Sequence, residues 1–490
     1  MNDMPSSTVT TDFERIFHPR RIAIVGVSTR GPGFGSGIFH SLRTIGFEGE
    51  IFLVNPKGGT LDGVPILPSV ADIPGAIDFA IIAVQARAVP EALELCRRKG
   101  AAGAEIFSSG FKELGTEEGR LLEQQVVQVA RRGIRVIGPN CFGIYCPASG
   151  LTVLPGPDLS RESGPVAFLS QSGGMAIDFA NTGKSIGLRF SKMVSFGNGA
   201  DLREVELLRY LTDDAETGVI TLYIEGVADG AAFFDAMRAA ARRKPVIVYK
   251  GGLSNAGARA VQSHTASMGG SRRIWRAMLR QVNAVQVRDL PEMSQAALAF
   301  AMLPPRPFRR ISVLGGGGAL GVAAADAAEP FGLTIPAFDP PLVERIEAIL
   351  PRPGSSAGNP VDVANPFVAP EVLKEVLLLA AEDPRIELQI FISLLSHYKN
   401  MARMMGLPVK EVAPYRDLAA HFQEVARRTG KPVVVVLPNP RRGLDHLDVV
   451  EMIALARRTF MAHGIVVFDE LHEALRAIGH LNVHYGRKTV

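Results

Sequence analysis

The sequence predicts an α/β protein in which mainly parallel β-sheets are covered by helices on both faces. Short β-branched apolar segments recur along the chain, and each is followed by a loop rich in Gly, Ser or Asn and then by a helical pattern. Strands that are apolar on both faces belong in sheets buried between two helix layers. The predicted strands, in chain order, are 22–25, 51–54, 79–84, 105–107, 135–137, 166–169, 219–224, 245–249, 311–314, 389–392 and 433–437.

Length and composition set the expected number of domains and the broad class. A chain of 490 residues is too long for a single hydrophobic core and predicts about three domains. Charged residues make up 21% and hydrophobic residues 47% of the chain, as in an ordinary soluble globular protein. Proline-rich segments at 154–157 and 303–307 suit domain boundaries. We therefore expect domains at 1–150, 158–302 and 308–485.

Charge, cysteine content and hydropathy exclude several classes of function. The formal net charge is only +4, without a basic stripe interleaved with aromatic residues, so we expect no nucleic-acid partner. The three cysteines, Cys96, Cys141 and Cys146, form no CxxC pair, which argues against disulfides and a structural zinc site. No apolar run is long enough to span a membrane, and residues 1–11 lack the apolar core of a signal peptide. We expect a cytoplasmic protein with no membrane contact and no bound metal.

A glycine-rich loop follows the first predicted strand. Gly26, Ser28, Gly31 and Gly33 lie in this loop, and a helix is predicted from about Ile38. Such a turn lets main-chain N–H groups and a helix N-terminus approach a pyrophosphate, although glycines also serve tight turns and helix–strand packing. The loop therefore indicates a nucleotide-like ligand without identifying it.

The end of the second predicted strand narrows the choice of ligand. An NAD-binding unit has an acidic residue here, whereas this chain has Asn55, Pro56 and Lys57. A lysine favours an additional phosphate, such as the 3′-phosphate of coenzyme A or the 2′-phosphate of NADP. An ordinary turn lysine in solvent is the alternative.

Asn140 follows the strand predicted at 135–137, in a Gly-Pro-Asn-Cys turn. Open α/β sheets bind ligands at the carboxyl ends of their strands, so Asn140 is a candidate pocket residue. Asparagine also commonly bonds the main chain of its own turn, and this alternative stays open. The neighbouring Cys141 has no base near it in sequence and is interpreted as a small buried residue rather than a nucleophile.

A second anion site is predicted after the strand at 166–169. Ser170, Gln171, Ser172 and Gly173 form a small polar loop at a helix start, where hydroxyls and main-chain amides bind a phosphate. The loop differs from a P-loop because no Gly-Lys-Ser/Thr follows it. Helix capping is the alternative role for either serine.

His264 is the most informative residue of the chain. It lies among small residues and shortly before the pair Gly269-Gly270, so that little bulk surrounds its imidazole. An imidazole that accepts a phosphoryl group needs such access and a partner that fixes its tautomer. Glu225, at the exit of the strand predicted at 219–224, is the candidate partner. An ordinary loop histidine and a loop-capping glutamate are the alternatives.

Taken together, six short motifs resemble the NDP-forming acyl-CoA synthetase superfamily. Their order along the chain is that of the succinyl-CoA synthetase α subunit, and the third domain is similar to that of the α subunit of ADP-forming acetate-CoA ligases. The motifs are 28–33, 55–59, 138–141, 170–173, 225–226 and 263–265.

The resemblance implies a fold, a reaction and a site. The expected fold is an N-terminal Rossmann-like CoA-binding domain followed by two flavodoxin-like doubly wound domains. The reaction converts an acid, coenzyme A and ATP to acyl-CoA, ADP and phosphate through an acyl phosphate and a phosphohistidine. By position, His264 carries the phosphoryl group, Glu225 supports it, and Ser170, Gln171, Ser172 and Gly173 hold phosphate. Coenzyme A is expected at Gly26, Ser28, Gly31, Gly33, Pro56, Lys57 and Asn140.

The resemblance also implies a missing partner. The chain has no segment similar to an ATP-grasp module and no P-loop. We expect a separate ATP-grasp β subunit that binds ATP or ADP with Mg²⁺, and hence a hetero-oligomer. The carboxylic acid cannot be identified from any motif.

Two departures from the family pattern leave other functions open. The loop after Thr265 reads Ala-Ser-Met-Gly-Gly, and Ser271-Arg272-Arg273 replaces an acidic residue usual in the ligase subfamily. A CoA-binding regulatory protein of the same fold, without ligase activity, is therefore the first alternative. An NADP-dependent oxidoreductase is the second, since the glycine loop and Lys57 allow it.

Overall fold

Mainly parallel sheets covered by helices form the fold, which confirms the predicted class. A computed structural model describes residues 11–28, 33–152, 159–254, 256–257, 259 and 271–487. The chain divides into two compact units, Met1–Lys184 with Leu188–Met293, and Ser185–Gly187 with Ser294–Val490. The first unit contains two sheets and the second unit contains one. The separation of the first unit into two domains near residue 150 stays a prediction.

The first sheet has the strand order β3-β4-β2-β1-β5-β6-β7, with only β3 antiparallel to its neighbour. Its strands are β1 Arg21–Val25, β2 Glu50–Val54, β3 Gly59–Leu61, β4 Val64–Leu67, β5 Phe79–Ile82, β6 Gly103–Ile106 and β7 Arg135–Ile137. The helices are α1 Phe13–Phe17, α2 Phe34–Ile45, α3 Val89–Arg98 and α4 Glu117–Ala130. The chain reverses its direction across the sheet at β1, which lies between β2 and β5. This is the Rossmann order, whose switch point binds ligands.

The second sheet has the order β14-β13-β12-β10-β11-β8-β9. Its strands are β8 Gly143–Cys146, β9 Leu151–Thr152, β10 Ser163–Ser170, β11 Phe190–Ser195, β12 Val219–Ile224, β13 Val246–Lys250 and β14 Val285–Val287. The helices are α5 Gly173–Ile186, α6 Glu204–Asp213, α7 Gly230–Arg243 and α8 Arg272–Gln281. Strands β10 to β14 follow the flavodoxin order, and β8 and β9 add an antiparallel edge. Strand β8 therefore pairs with the second sheet although it precedes residue 150.

The third sheet is parallel throughout, in the flavodoxin order β16-β15-β17-β18-β19. Its strands are β15 Ile311–Gly315, β16 Val361–Asp362, β17 Leu388–Ile392, β18 Val433–Val436 and β19 Val467–Phe468. The helices are α9 Leu290–Met302, α10 Gly318–Ala328, α11 Pro340–Glu347, α12 Pro370–Ala380, α13 Tyr398–Met405, α14 Val409–Val412, α15 Tyr415–Thr429, α16 Leu447–Ala462 and α17 Leu471–Arg487. In the part of the chain that the structure describes, no helix is both long and apolar enough to cross a membrane.

Candidate active site

The carboxyl ends of the two sheets of the first unit enclose a cavity of about 890 Å³. Its wall consists of loops that follow β5, β6, β7, β10, β11 and β12, together with the start of α2. The lining segments are 83–85, 107–109, 140–142, 171–174, 197–198 and 225–228, with Phe34, Lys112 and Arg203. A cavity at this edge is where doubly wound sheets bind their ligands.

The predicted site residues fall into three groups. Asn140, Gln171, Ser172, Gly173 and Glu225 line the cavity, so residues far apart in sequence meet there. A second group of six residues does not line the cavity. Five lie in loops of the first sheet, namely Gly26, Ser28, Gly33, Pro56 and Lys57, and the sixth, Ser170, is the buried last residue of β10. Gly31 and His264 lie outside the described residues. The binding and catalytic roles assigned to all of them stay predictions.

The glycine loop has the tight geometry of a strand-to-helix turn. Gly26 has a φ of +105°, and a Cβ there would lie 2.4 Å from the Ala83 carbonyl oxygen. Helix α2 begins at Phe34, four residues before the predicted start. Gly33 is its N-cap residue and has an extended conformation. Ser28 lies against this helix, since its N–H donates to Ser36 Oγ at 3.2 Å. A helix N-terminus on such a loop suits a pyrophosphate.

The turn after β2 lies next to the glycine loop. Asn55 joins the two, because its Nδ2 donates to the Val27 carbonyl oxygen at 2.7 Å and its Oδ1 accepts from the Lys57 N–H at 2.9 Å. Pro56 and Lys57 are exposed. The lysine side chain is thus free to meet a phosphate beside a ligand on the glycine loop. This arrangement fits a nucleotide that carries a further phosphate, as coenzyme A does.

The loop from Ser170 to Gly173 leads directly into α5. Ser170 is buried, and its Oγ donates to the Ser172 carbonyl oxygen at 2.6 Å and accepts from the Ser172 N–H at 3.1 Å. Ser172 Oγ accepts from the Met175 N–H at 3.4 Å. Gly173 packs against the Phe142 ring, which a Cβ would approach to 2.0 Å. The first amides of α5 have no partner within the helix, so this end of the cavity favours an anion.

Gln171 joins the exits of β10 and β12. Its Oε1 accepts from the N–H groups of Glu225 and Gly226, the latter at 3.0 Å, and its Nε2 donates to the Gly226 carbonyl oxygen at 2.9 Å. The amide is therefore occupied by the main chain of the neighbouring loop. In this structure the Gln171 side chain bonds the main chain of Glu225 and Gly226, and its role at a phosphate stays a prediction.

Glu225 presents one free carboxylate oxygen. Its Oε1 accepts from the Tyr223 hydroxyl at 3.1 Å, whereas its Oε2 is buried and has no hydrogen-bond partner among the described residues. Burial and the neighbouring Glu225 carboxylate raise the pKa of Tyr223, so the phenol keeps its proton as a donor. A buried carboxylate oxygen is stable only with a donor, such as an imidazole N–H.

The opposite wall contains polar residues that the sequence did not indicate. Lys112 Nζ donates to the Asn198 carbonyl oxygen at 2.9 Å and pairs with Glu123 at 2.6 Å. Asn198 Nδ2 donates to Glu113 Oε2 at 2.6 Å. Burial alone would raise the pKa of Glu113, but the hydrogen bonds from Asn198 and two main-chain amides outweigh it and lower that pKa. These contacts hold the loop after β11 in place.

Two polar residues that line the cavity were missed because β11 was not predicted. Asn198 and Arg203 follow this strand, whose Lys192 interrupts the apolar pattern. Cys141 also lines the cavity. Burial raises the pKa of its thiol and keeps the thiol protonated, which fits the prediction of a small buried residue rather than a nucleophile. A search for polar loop residues after every strand would have found Asn198 once β11 was known.

Substitution of Gly197 by alanine is expected to destabilise the cavity wall. Gly197 has a φ of +51°, and a Cβ there would lie 2.1 Å from the Asn140 carbonyl oxygen and 2.4 Å from that of Pro139. Backbone strain and overpacking together should lower the free energy of unfolding by about 2–4 kcal/mol, or roughly 5–10 °C in the melting temperature. Differential scanning fluorimetry tests this, with Gly230→Ala as control because no atom lies within 4 Å of its Cβ. Equal melting temperatures for the two variants would contradict the expected strain.

Family comparisons agree with the three sheets. The CoA binding domain family matches residues 20–147, the succinyl-CoA ligase like flavodoxin domain family matches 163–300, and the ligase-CoA domain family matches 311–469. The chain belongs to the NDP-forming acyl-CoA synthetase superfamily. The first and second matches together cover the two sheets that enclose the cavity, except for strand β9.

Two individual relatives are more specific than these family models, because both are named as ADP-forming acetate–CoA ligases. The chain is 37% identical over 355 residues to the ADP-forming acetate–CoA ligase I subunit alpha of Pyrococcus furiosus, covering 71% of this chain and 76% of that protein. It is 39% identical over 383 residues to the ADP-forming acetate–CoA ligase I of Archaeoglobus fulgidus, covering 77% of this chain but 54% of that protein. This chain thus spans about half the length of that relative.

A solved structure is similar over nearly the whole chain. The dinucleotide forming acetyl-coenzyme A synthetase 1 of Ca. Korarchaeum cryptofilum, in complex with phosphate and ADP, has a TM-score of 0.81 and 29% sequence identity. The match covers 98% of this chain and 99% of that chain. The succession of one Rossmann-like and two flavodoxin-like sheets is therefore shared with a synthetase of this class.

Proposed function

We propose that this chain is the α-type subunit of an ADP-forming acyl-CoA synthetase. The reaction converts an acid, coenzyme A and ATP to acyl-CoA, ADP and phosphate, through a phosphohistidine at His264 and an acyl phosphate. The observation that carries the proposal is the cavity itself. It is lined by the first residues of α5 and by Glu225, whose buried Oε2 has no hydrogen-bond partner among the described residues. An anion site beside an acceptor for an imidazole N–H suits phosphoryl transfer to histidine.

Each group has a defined role in this reaction. Glu225 accepts the N–H of the His264 imidazole, fixes its tautomer and stabilises its positive charge when the other nitrogen holds a phosphoryl group. The acid's carboxylate takes that phosphoryl group from the histidine and becomes an acyl phosphate. The coenzyme A thiolate then attacks the acyl carbon, and the C–O bond to the phosphate breaks. The first amides of α5 hold the released phosphate.

Coenzyme A is assigned to the glycine loop and the adjacent turn. Gly26, Ser28 and Gly33 place main-chain amides near the pyrophosphate, Gly31 is assigned to the same ligand from its position in the sequence, and Lys57 meets the 3′-phosphate. Asn140 is assigned to the same ligand and lines the cavity, together with the aromatic pair Phe34 and Phe107, whose ring centroids lie 4.8 Å apart.

The ATP-dependent half of the reaction is assigned to a partner. The relative from P. furiosus is named as a subunit alpha, and the longer relative from A. fulgidus has additional chain beyond the match. We therefore infer an ATP-grasp β subunit that binds ATP or ADP with Mg²⁺ in a hetero-oligomer.

The proposal is tested without the partner, because acyl-CoA and phosphate regenerate the acyl phosphate. The chain is incubated with radiolabelled phosphate and, in separate reactions, acetyl-CoA, isobutyryl-CoA, phenylacetyl-CoA and succinyl-CoA. We expect acid-labile, base-stable label on the protein with at least one of them, which also identifies the class of acid. Absence of label with all four, while coenzyme A still binds, would favour the CoA-binding regulatory protein.

Ligand-dependent melting distinguishes the proposed function from that of an NADP-dependent oxidoreductase. Coenzyme A at 100 times its Kd should stabilise the protein by about 2.7 kcal/mol and raise its melting temperature by roughly 5 °C. Lys57→Met should weaken this effect for coenzyme A but not for dephospho-coenzyme A, which lacks the 3′-phosphate. Stabilisation by NADP and not by coenzyme A would support the oxidoreductase instead.

A further inference from the structure

Lys250, the last residue of β13, is a buried cation that no step of the proposed reaction uses. It is 2% exposed. Its Nζ donates to the carbonyl oxygen of Glu225 at 2.7 Å and to that of Gly251, and lies 5.0 Å from the centroid of the Trp275 ring. Within the described ranges it forms no ion pair with a carboxylate. Burying an ammonium group in this way costs free energy, so a lysine at this position indicates a specific role.

The ammonium contacts Glu225 after β12, the adjacent Gly251 and Trp275 on α8. Strands β12 and β13 are parallel neighbours with Ile224 opposite Lys250, which places the carbonyl group of Glu225 beside the lysine. Gly251 begins the chain segment that leads to His264, and Trp275 lies on α8, which follows that segment. Lys250 therefore contacts the supporting carboxylate residue and both described flanks of the histidine segment.

Glu225 is held by hydrogen bonds to both its main-chain N–H and its main-chain carbonyl group. Gln171 Oε1 accepts its N–H, and Lys250 Nζ donates to its carbonyl oxygen. Tyr223 donates to Oε1 of its carboxylate at 3.1 Å. These three contacts leave only Oε2 without a partner among the described residues, so the direction of this oxygen depends on the main-chain anchors.

We propose that Lys250 is a positioning residue for phosphoryl transfer, whose ammonium fixes the main chain of Glu225 and thereby sets the direction of the carboxylate that supports the phosphoryl-accepting histidine in the proposed reaction. The inference rests on the proposed function for its catalytic consequence. Its structural part, the anchoring of the loop that begins at Glu225, stands on the contacts alone.

The charge of Lys250 gives the anchor a pH dependence. Burial lowers the pKa of Lys250 to about 8, against the opposing effect of the Glu225 carboxylate. From β12 and β13 the groups near it are Glu225, Tyr223 and Tyr249, and α8 presents the Trp275 ring. The arginines of α8, at 272, 273, 276 and 280, are exposed. Above pH 8 the lysine loses its proton, its attraction to the Trp275 ring, and the charge that strengthens both hydrogen bonds.

The kinetic test compares wild type, Lys250→Met and Lys250→Arg. The rate of phosphate incorporation from acyl-CoA and labelled phosphate is measured between pH 6.5 and 9.5. We expect the wild-type rate to fall above pH 8. The methionine variant should be at least about 10-fold slower than wild type at pH 7, and its rate should not fall above pH 8. The arginine variant should recover part of the wild-type rate and should also show no fall above pH 8. A methionine variant with the wild-type rate and pH profile would overturn the proposal.

A second readout needs no activity. Hydrogen–deuterium exchange of peptides covering 224–229 should become faster in Lys250→Met, while exchange in α7 stays unchanged. Lys244→Met is the matched control, because Lys244 Nζ also donates to two carbonyl oxygens, those of Leu211 and Asp214, both at 2.6 Å, but lies outside the cavity wall. Faster exchange without phosphorylation of wild type would contradict the proposed function but support the anchor. Normal exchange in a labelled enzyme would contradict the anchor alone.

Discussion

Replacement of His264 by alanine is expected to abolish acid-labile, base-stable phosphate on the protein completely. The imidazole is the protein group that takes the phosphoryl group covalently in the proposed reaction, and alanine has no atom that replaces it. The prediction combines the sequence around His264 with Glu225 in the cavity wall, whose Oε2 has no hydrogen-bond partner among the described residues. Label is measured after incubation with acyl-CoA and radiolabelled phosphate, and the phosphorylated peptide is then identified by mass spectrometry.

The control for this prediction is a histidine of the same unit that lies away from the cavity. His40 on α2 is about half-exposed and pairs with Asp62 at 3.4 Å, so His40→Ala should keep the label. Coenzyme A should stabilise wild type and both variants equally, because neither histidine belongs to the assigned coenzyme A site. Label that persists in His264→Ala would place the phosphoryl acceptor elsewhere and overturn the assignment.

Replacement of Glu225 by glutamine is expected to slow phosphoryl transfer by about 10²–10⁴-fold. Glutamine keeps the size of the side chain and an oxygen that accepts from the Tyr223 hydroxyl. It removes the negative charge that stabilises the imidazolium form, and its amide presents a donor where an imidazole N–H requires an acceptor. Loss of such a carboxylate partner costs a comparable factor in other histidine-dependent enzymes. The initial rate of label incorporation measures the effect.

Two further variants isolate the role of the carboxylate. Asp235→Asn removes an exposed charge from α7, where Asp235 pairs with Arg238 at 2.8 Å, and should leave the rate unchanged. Tyr223→Phe removes one hydrogen bond to Glu225 and should slow transfer by about 10-fold or less. A folded Glu225→Gln protein with the wild-type rate would show that the carboxylate does not support the histidine.

The predicted strands are all present in the structure, because long apolar runs buried on both faces have a clear sequence pattern. Several strands were not predicted because their sequences do not show this pattern. In β11, Lys192 is buried, and Asp214 neutralises its charge at 3.0 Å, a pairing between residues on different elements. Strands β9, β16 and β19 have only two residues each, too few for any periodicity.

The candidate site was predicted only in part, because some of its contacts join residues that are remote in sequence. Residue types and their positions after strands indicated Asn140, Ser172 and Glu225, and all three line one cavity. The pattern gave Ser170 and Gln171 the same role as their neighbours. In the structure, however, Ser170 bonds its own turn and Gln171 bonds the main chain of Glu225 and Gly226. Which atom a side chain meets depends on segments that are remote in sequence.

The amino-acid sequence by itself determined the α/β class, the glycine-rich and small polar loops at strand ends, and the order of motifs that places the chain in its family. These properties are local, since they depend on hydrophobic periodicity and on residue types within a few positions. Only the tertiary structure decided that the loops of two sheets share one cavity, that Gln171 and Lys250 hold the main chain of Glu225 from opposite sides, and that one carboxylate oxygen is left without a partner among the described residues. Those features depend on distances between strands β10, β12 and β13, which chain topology and core packing set together.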